Sequence, residues 1–133
     1  MTRQDSLLYV GIPDFAEPTL LLIGDEKSLS WLADQIDTRR AIRLEEMRGI
    51  VSQTLITLRL VPVIKNGNLS RLGDAFDWKI SAVEVEKFTL QLRELAVATS
   101  PAHIYLDPES NAADVQMVAS KGEYDPEKIF VSC

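Results

Sequence analysis

The stretch that most narrows what this chain can fold into is Phe76–Asp107, FDWKISAVEVEKFTLQLRELAVATSPAHIYLD. Phe76, Trp78 and Ile80 alternate with Asp77 and Lys79, the period of a strand with one face in a core. The period then changes. Val85, Phe88, Leu92, Leu95 and Ala96 make one apolar helix face, while Glu84, Glu86, Lys87, Arg93 and Glu94 face water. Ser81 followed by Glu84 is a capping box that starts this helix, which is expected from about Ala82 to Ala98, with Pro101 beyond its end. His103–Leu106 is the next expected strand. A chain with this order must lay the helix stripe on a sheet, so α and β elements share one core.

Thr19–Glu45 repeats the order more loosely. Thr19–Ile23 is nearly all apolar, which predicts a strand buried on both faces. Leu29, Leu32, Ala33 and Ile36 then follow helical spacing, with Asp25 or Ser28 as the cap and Trp31 at the helix edge. Ala41–Leu44 is a short strand candidate. Ile23-Gly24 and Ile80-Ser81 both lead from strand to helix, and Leu44-Glu45 and Leu106-Asp107 both leave the second strand. The connections are long enough for parallel crossovers, which would be right-handed.

Around these units, Leu7–Ile12 is a first strand stopped by Pro13, and Glu45–Ile50 reads as loop. Ser52–Val61 reads as one long strand, with Thr54, Ile56, Leu58 and Leu60 on one face and Pro62 placing its end at a sheet edge. Lys65-Asn66-Gly67-Asn68 carries a turn signature, and Asn68–Asp74 is expected to be a mobile loop. Asp107–Asp114 is a turn, Val115–Ser120 a strand, Gly122–Pro126 another turn, and Ile129–Val131 a last strand or docked tail. The economical assembly is a single two-layer α+β domain over residues 1–133. It has a mixed sheet of about five to seven strands with two helices on one face. The other sheet face, or a sheet edge, is where a partner would be met.

The 133 residues carry a net charge of −6, which argues against nucleic-acid or anionic-membrane binding because phosphate contact needs clustered Lys and Arg. One cysteine, Cys133, makes no internal disulfide. The apolar run near the N-terminus is too short for a signal peptide and none approaches a membrane span, so a cytoplasmic location is expected.

Chemistry is sparse. His103 is the sole histidine, so any proton-transfer or His–metal proposal passes through it. His103, Tyr105 and Asp107 share one strand face. His103 and Asp107, however, stand roughly 13 Å apart at ~3.3 Å per residue, so a dyad needs a carboxylate from elsewhere. Asp107–Asn111 resembles the start of a calcium loop, but Ala112 stands where a turn glycine is needed and Val118 where a bidentate Glu is needed. Gly24–Ser28 lacks the Gly-Lys of a phosphate loop. With one Cys and one His, zinc is nearly excluded, and no cofactor is expected. Acidic residues collect at Glu45-Glu46, Glu84–Glu86, Asp107–Glu109 and Glu123–Glu127. Parallel units would put the first and third groups at one end of the sheet as a negative rim.

WKISAVEVEKFTLQLREL, AHIYLDPES and ADVQMVASKGEY together resemble the Immunity protein 32 group of bacterial polymorphic toxin systems, over roughly residues 76–124. The resemblance implies a non-enzymatic inhibitor that binds a cognate toxin, often a nuclease, and it carries over no catalytic residues. The residues expected to touch such a partner are Glu45, Glu46, His103, Tyr105, Asp107 and Glu109. Two other classes stay open at this point. One is a module that self-associates through the edge of the Ser52–Val61 strand. The other is a hydrolase working through carboxylates alone.

Overall fold

The computed structural model describes residues 6–52 and 56–130. Ten strands form two mixed five-stranded sheets. In chain order they are β1 (Leu8–Gly11), β2 (Thr19–Ile23), β3 (Ile42–Arg43), β4 (Ile50–Ser52), β5 (Thr57–Pro62), β6 (Asn68–Leu72), β7 (Ala75–Ile80), β8 (Ala102–Tyr105), β9 (Ser110–Asn111) and β10 (Gln116–Lys121). Helix α1 (Glu26–Asp37) lies between β2 and β3, α2 (Ala82–Ala96) between β7 and β8, and a short α3 (Pro126–Ile129) follows β10. The first sheet runs β4-β1-β2-β10-β8 and the second β3-β5-β7-β6-β9.

The two sheets repeat one pairing scheme. β1 pairs antiparallel with β2 and parallel with β4; β6 pairs antiparallel with β7 and parallel with β9. β10 lies parallel to β2 and antiparallel to β8, as β5 lies parallel to β7 and antiparallel to β3. The chain is therefore two copies of ββαβββ, and each half lends two strands to the other half's sheet. The register carries the equivalence to single residues. Met117 stands opposite Leu20 and Ala119 opposite Leu22, just as Leu58 stands opposite Phe76 and Leu60 opposite Trp78. All eight are buried.

This arrangement corrects the single-sheet expectation, although the α+β class, mixed pairing and helix pair are all present. β2 and β3 belong to different sheets, as do β7 and β8, so neither helix makes a parallel crossover within one sheet. The expected strand Ser52–Val61 is two strands, β4 in the first sheet and β5 in the second. Gln53, Thr54 and Leu55, expected within it, lie outside the described residues. β3 pairs only as far as Leu60, so the end of β5 carrying Pro62 is paired on one side, where a missing N–H costs nothing. The expected mobile loop at Asn68–Asp74 contains β6, paired on both sides and closed onto β7 by Gly73 at φ 62°. The expected loop Glu45–Ile50 and turn Asp107–Asp114 each deliver a short edge strand, β4 and β9.

Both long helices start by the same device. The side chain of Asp25 accepts from the N–H of Ser28 (2.9 Å) while the N–H of Asp25 donates to Ser28 Oγ (2.9 Å); Ser81 and Glu84 make the same reciprocal pair. The helices pack on each other, and Leu29, Leu32, Ile36, Val85, Phe88 and Leu92 join both sheets in one core. Trp78 and Phe88 fill its widest part with ring centroids 5.6 Å apart. The far face of the first sheet is also apolar. Leu21, Ile23 and Val118 form a second small cluster, covered by Phe15, Ile129 and Phe130. The tail expected at Ile129–Val131 is thus docked through a short helix; Val131 lies outside the described residues. The far face of the second sheet is polar, centred on a two-pronged ion pair from Arg59 to Asp77 (3.0 and 3.1 Å).

Glu84 has a second duty. Its other carboxylate oxygen accepts the backbone N–H of Glu109 at 3.0 Å, so one buried side chain holds the start of α2 and the connection from β8 to β9. Gly67 makes room for it, since a Cβ there would fall 1.7 Å from Glu84 Oε1. Gly67→Ala is expected to displace that carboxylate and lower stability by about 2–3 kcal/mol, the cost of buried partners left unpaired. Denaturant midpoints against wild type would check this, with Glu84→Gln also destabilising, because its amide keeps one acceptor and turns a donor toward the other N–H.

Candidate functional site

The residues expected to meet a partner fall into three places rather than one rim. Glu45 and Glu46 follow β3 of the second sheet, whereas Tyr105 ends β8 of the first and Asp107 lies just beyond it. The two acidic turns are nevertheless equivalents across the halves, and they do the same work. The carboxylate of Glu45 accepts the N–H of Leu58 at 3.2 Å, and that of Asp107 accepts the N–H of Met117 at 2.8 Å. Each satisfies the strand that lies parallel to the other half's β2 or β7. Glu45 and Asp107 are therefore structural brackets first. Glu46 is exposed, with only a long 3.9 Å pairing to Arg43. Glu109 accepts from Ser81 Oγ at 3.2 Å and so is tied to the start of α2.

His103 does find a carboxylate from a distant segment. Its Nδ1 lies 2.9 and 3.1 Å from the two oxygens of Glu123. Gly122, at φ 77°, folds Glu123 back over β10, where Ser120 Oγ donates to the same carboxylate at 2.7 Å. Serine, glutamate and histidine thus stand in contact, but in the wrong order for nucleophilic catalysis. The hydroxyl proton goes to the carboxylate, and the imidazole, opposite Ser120 across the strands, bonds that carboxylate as well. The histidine is exposed and its ring meets Tyr105 edge-on at 5.4 Å, on the outer side of an edge strand rather than in a cleft. Burial alone would raise the Glu123 carboxyl; the hydrogen bonds from His103 and Ser120 and the charge of His103 outweigh it and hold the carboxyl below its ordinary value.

Asp107 also lines a shallow, largely polar hollow. It is a recess of about 410 Å³ at the start of β2 and β10, walled by Glu17, Asp107, Asp114, Asn111 and Gln116. Three acidic residues line it, and no basic residue does. Asn111 shapes the turn by accepting the N–H of Asp114 at 3.0 Å and donating to Val115 O. Asp114 sits at φ 56°, a conformation that Asp and Asn tolerate better than most residues. Gln116 is fixed by donating to Thr19 Oγ1 at 2.9 Å. Among the described residues no three His, Cys, Asp or Glu side chains converge as a metal-ligand set. The recess offers acceptors and negative charge, suited to a guanidinium or ammonium group presented from outside.

No family model, curated protein or solved structure matches this chain. Its own geometry carries the functional reading.

Sequence reasoning found Asp107 but missed Glu17 and Asp114, because the topology that brings residues 17 and 114 together is the parallel pairing of β2 with β10. Glu123 was visible as an acidic residue near a glycine turn, but its pairing with His103 depends on the register of β8 against β10.

Two outcomes follow for stability. Asp107→Ala is expected to cost about 1–3 kcal/mol by leaving the buried Met117 amide unpaired, and Glu45→Ala a comparable amount at Leu58; Asp107→Asn, which keeps an acceptor, costs less. Because the Glu123 carboxyl titrates lower when folded, its contribution is complete above the ordinary glutamate pKa and is lost as pH falls through the lower folded value. The stability gap between wild type and Glu123→Gln should therefore be fully developed, at about 0.5 kcal/mol, once pH exceeds the ordinary glutamate pKa, and close in acid as the folded carboxyl is itself protonated, read by urea titration at each pH.

Proposed function

We propose that this protein is a non-enzymatic protein-binding module of the immunity type, which neutralises a cognate bacterial toxin in the cytoplasm by holding a basic surface of it. The observation that carries the reading is the acidic recess. Glu17, Asp107 and Asp114 line one hollow with no basic residue in its lining, in a chain whose net charge is already −6. A hollow of that sign raises the local concentration of cationic side chains and speeds encounter with a basic partner. Nucleases, the targets that the resemblance to the Immunity protein 32 group implies, carry positive surfaces for phosphate. Tyr105, just over half exposed at the end of β8, adds an aromatic contact beside the recess. The one histidine stands exposed on a strand face, and no pocket lining among the described residues includes it, which favours binding over proton-transfer chemistry. No helix among the described residues is long and apolar enough to cross a membrane, which agrees with a cytoplasmic role without fixing it.

For self-association through a sheet edge, the Ser52–Val61 stretch offers β4 at the edge of the first sheet, while β5 lies between β3 and β7.

The test is co-expression with the toxin encoded by the neighbouring reading frame, followed by binding kinetics. Wild-type protein is expected to restore growth and to bind with an on-rate that falls about tenfold between 50 and 300 mM salt. Glu17→Gln with Asp114→Asn should lower the on-rate by a similar factor while leaving the fold intact, since neither side-chain carboxylate holds up the backbone. Failure to protect, or binding indifferent to both salt and the double substitution, would remove the proposal.

A further inference from the structure

The two halves can be compared corner by corner, and one corner differs. In the second half, the place between the start of α1, the end of β10 and the end of α2 is filled. Leu95 and Ala96 continue α2 as buried residues, and Lys121 donates to the carbonyls of Ala96 and Ala98, both at 2.6 Å. The register makes Pro62 the counterpart of Lys121 in the first half. Counting from the two helix caps makes Arg39 and Arg40 the counterparts of Leu95 and Ala96. Helix α1 has already stopped at Asp37, and Arg39 turns away at φ 56°. The corner is left open.

What remains is a pocket of about 310 Å³ whose floor is apolar, built by Ile80, Val85, Ala82 and Pro62, with Ile64 at the rim 87% exposed. Arg39 stands over it, and Arg40 lines the adjoining recess that shares Arg39, Pro62, Ile80 and Val85. No carboxylate lines either hollow. Neither guanidinium is in an ion pair with another described residue. Its volume is at the small end of ligand pockets.

We propose that this corner is a binding site for a small aliphatic carboxylate, whose hydrocarbon body takes the space that Leu95 fills in the other half and whose carboxylate is met by Arg39 and Arg40. An apolar floor removes the chain from water. Arg39 on the pocket and Arg40 on the adjoining recess, neither in an ion pair with a described residue, select an anionic head over a neutral or cationic one, and arginine can grip a carboxylate with two parallel hydrogen bonds. The site lies at the end of β5 and the start of α2, away from the acidic recess, and stands independently of the toxin-binding reading.

The experiment titrates the 133-residue chain with hexanoate and, separately, with 1-hexanol, following backbone amide resonances. Hexanoate is expected to shift Ile64, Ala82 and Val85 saturably, with a dissociation constant on the order of 1 mM, and hexanol to bind at least tenfold more weakly. The double variant Arg39→Asn with Arg40→Gln keeps a residue that tolerates positive φ at position 39. It is expected to lose about tenfold in hexanoate affinity with an unchanged denaturant midpoint. No saturable shift at the corner would overturn the proposal, as would equal binding of hexanol and hexanoate, or hexanoate affinity unchanged in the double variant.

Discussion

Two parallel strand pairings hold this molecule in its shape: β2 with β10, and β5 with β7. Each joins strands from opposite halves of the chain, and each places the most buried positions of one half against those of the other. Leu20, Leu22, Phe76 and Trp78 have no other apolar surface of comparable depth available. Without these pairings each half would be a three-stranded sheet with one helix and an open edge. With them, both helices and both sheets close on a single core. The acceptors at Glu45 and Asp107 belong to the same constraint, since each completes the hydrogen bonding of a crossing strand where the sheet ladder ends.

The near-symmetry of the pairings makes the departures from it informative. Equivalent outer faces of the two sheets are apolar and covered in one case, polar and ion-paired in the other. Equivalent corners are filled by Leu95 and Lys121 in one half, and left open under Arg39 and Arg40 in the other. Equivalent acidic turns both bracket a strand, but only the one at Asp107 sits beside two further carboxylates. A duplicated architecture supplies the same backbone twice, and side chains then give each copy different tasks.

Local order was legible because it rests on local physics. The helices at Glu26–Asp37 and Ala82–Ala96, their capping pairs, and the buried strands Thr19–Ile23 and Ala75–Ile80 follow from apolar spacing and from hydrogen bonds three residues apart. The similarity of the two strand–helix junctions was visible as well. The division into two sheets was not, since alternating apolar residues specify a buried face without naming the partner strand. Continuous alternation through Ser52–Val61 concealed a passage from one sheet to the other, and the polar look of Asn68–Asp74 concealed a strand whose core face is carried by Leu69 and Arg71 alone. Arg71 is an exposed residue, and its guanidinium lies 4.9 Å over the ring of buried Phe76. Of the candidate site, the acidic turns could be read from sequence. Their membership in a recess could not, because Glu17 and Asp114 meet only through the exchange of strands.

That exchange also sets a timetable for synthesis. As the polypeptide leaves the ribosome, β1 and β2 emerge early, but the edge of β2 that will receive β10 stays vacant until Gln116–Lys121 has been translated. Through most of elongation the nascent chain therefore presents a nearly all-apolar strand that can pair on one edge only. A slow final stage, or the company of a holdase chaperone, is built into the order in which its segments appear.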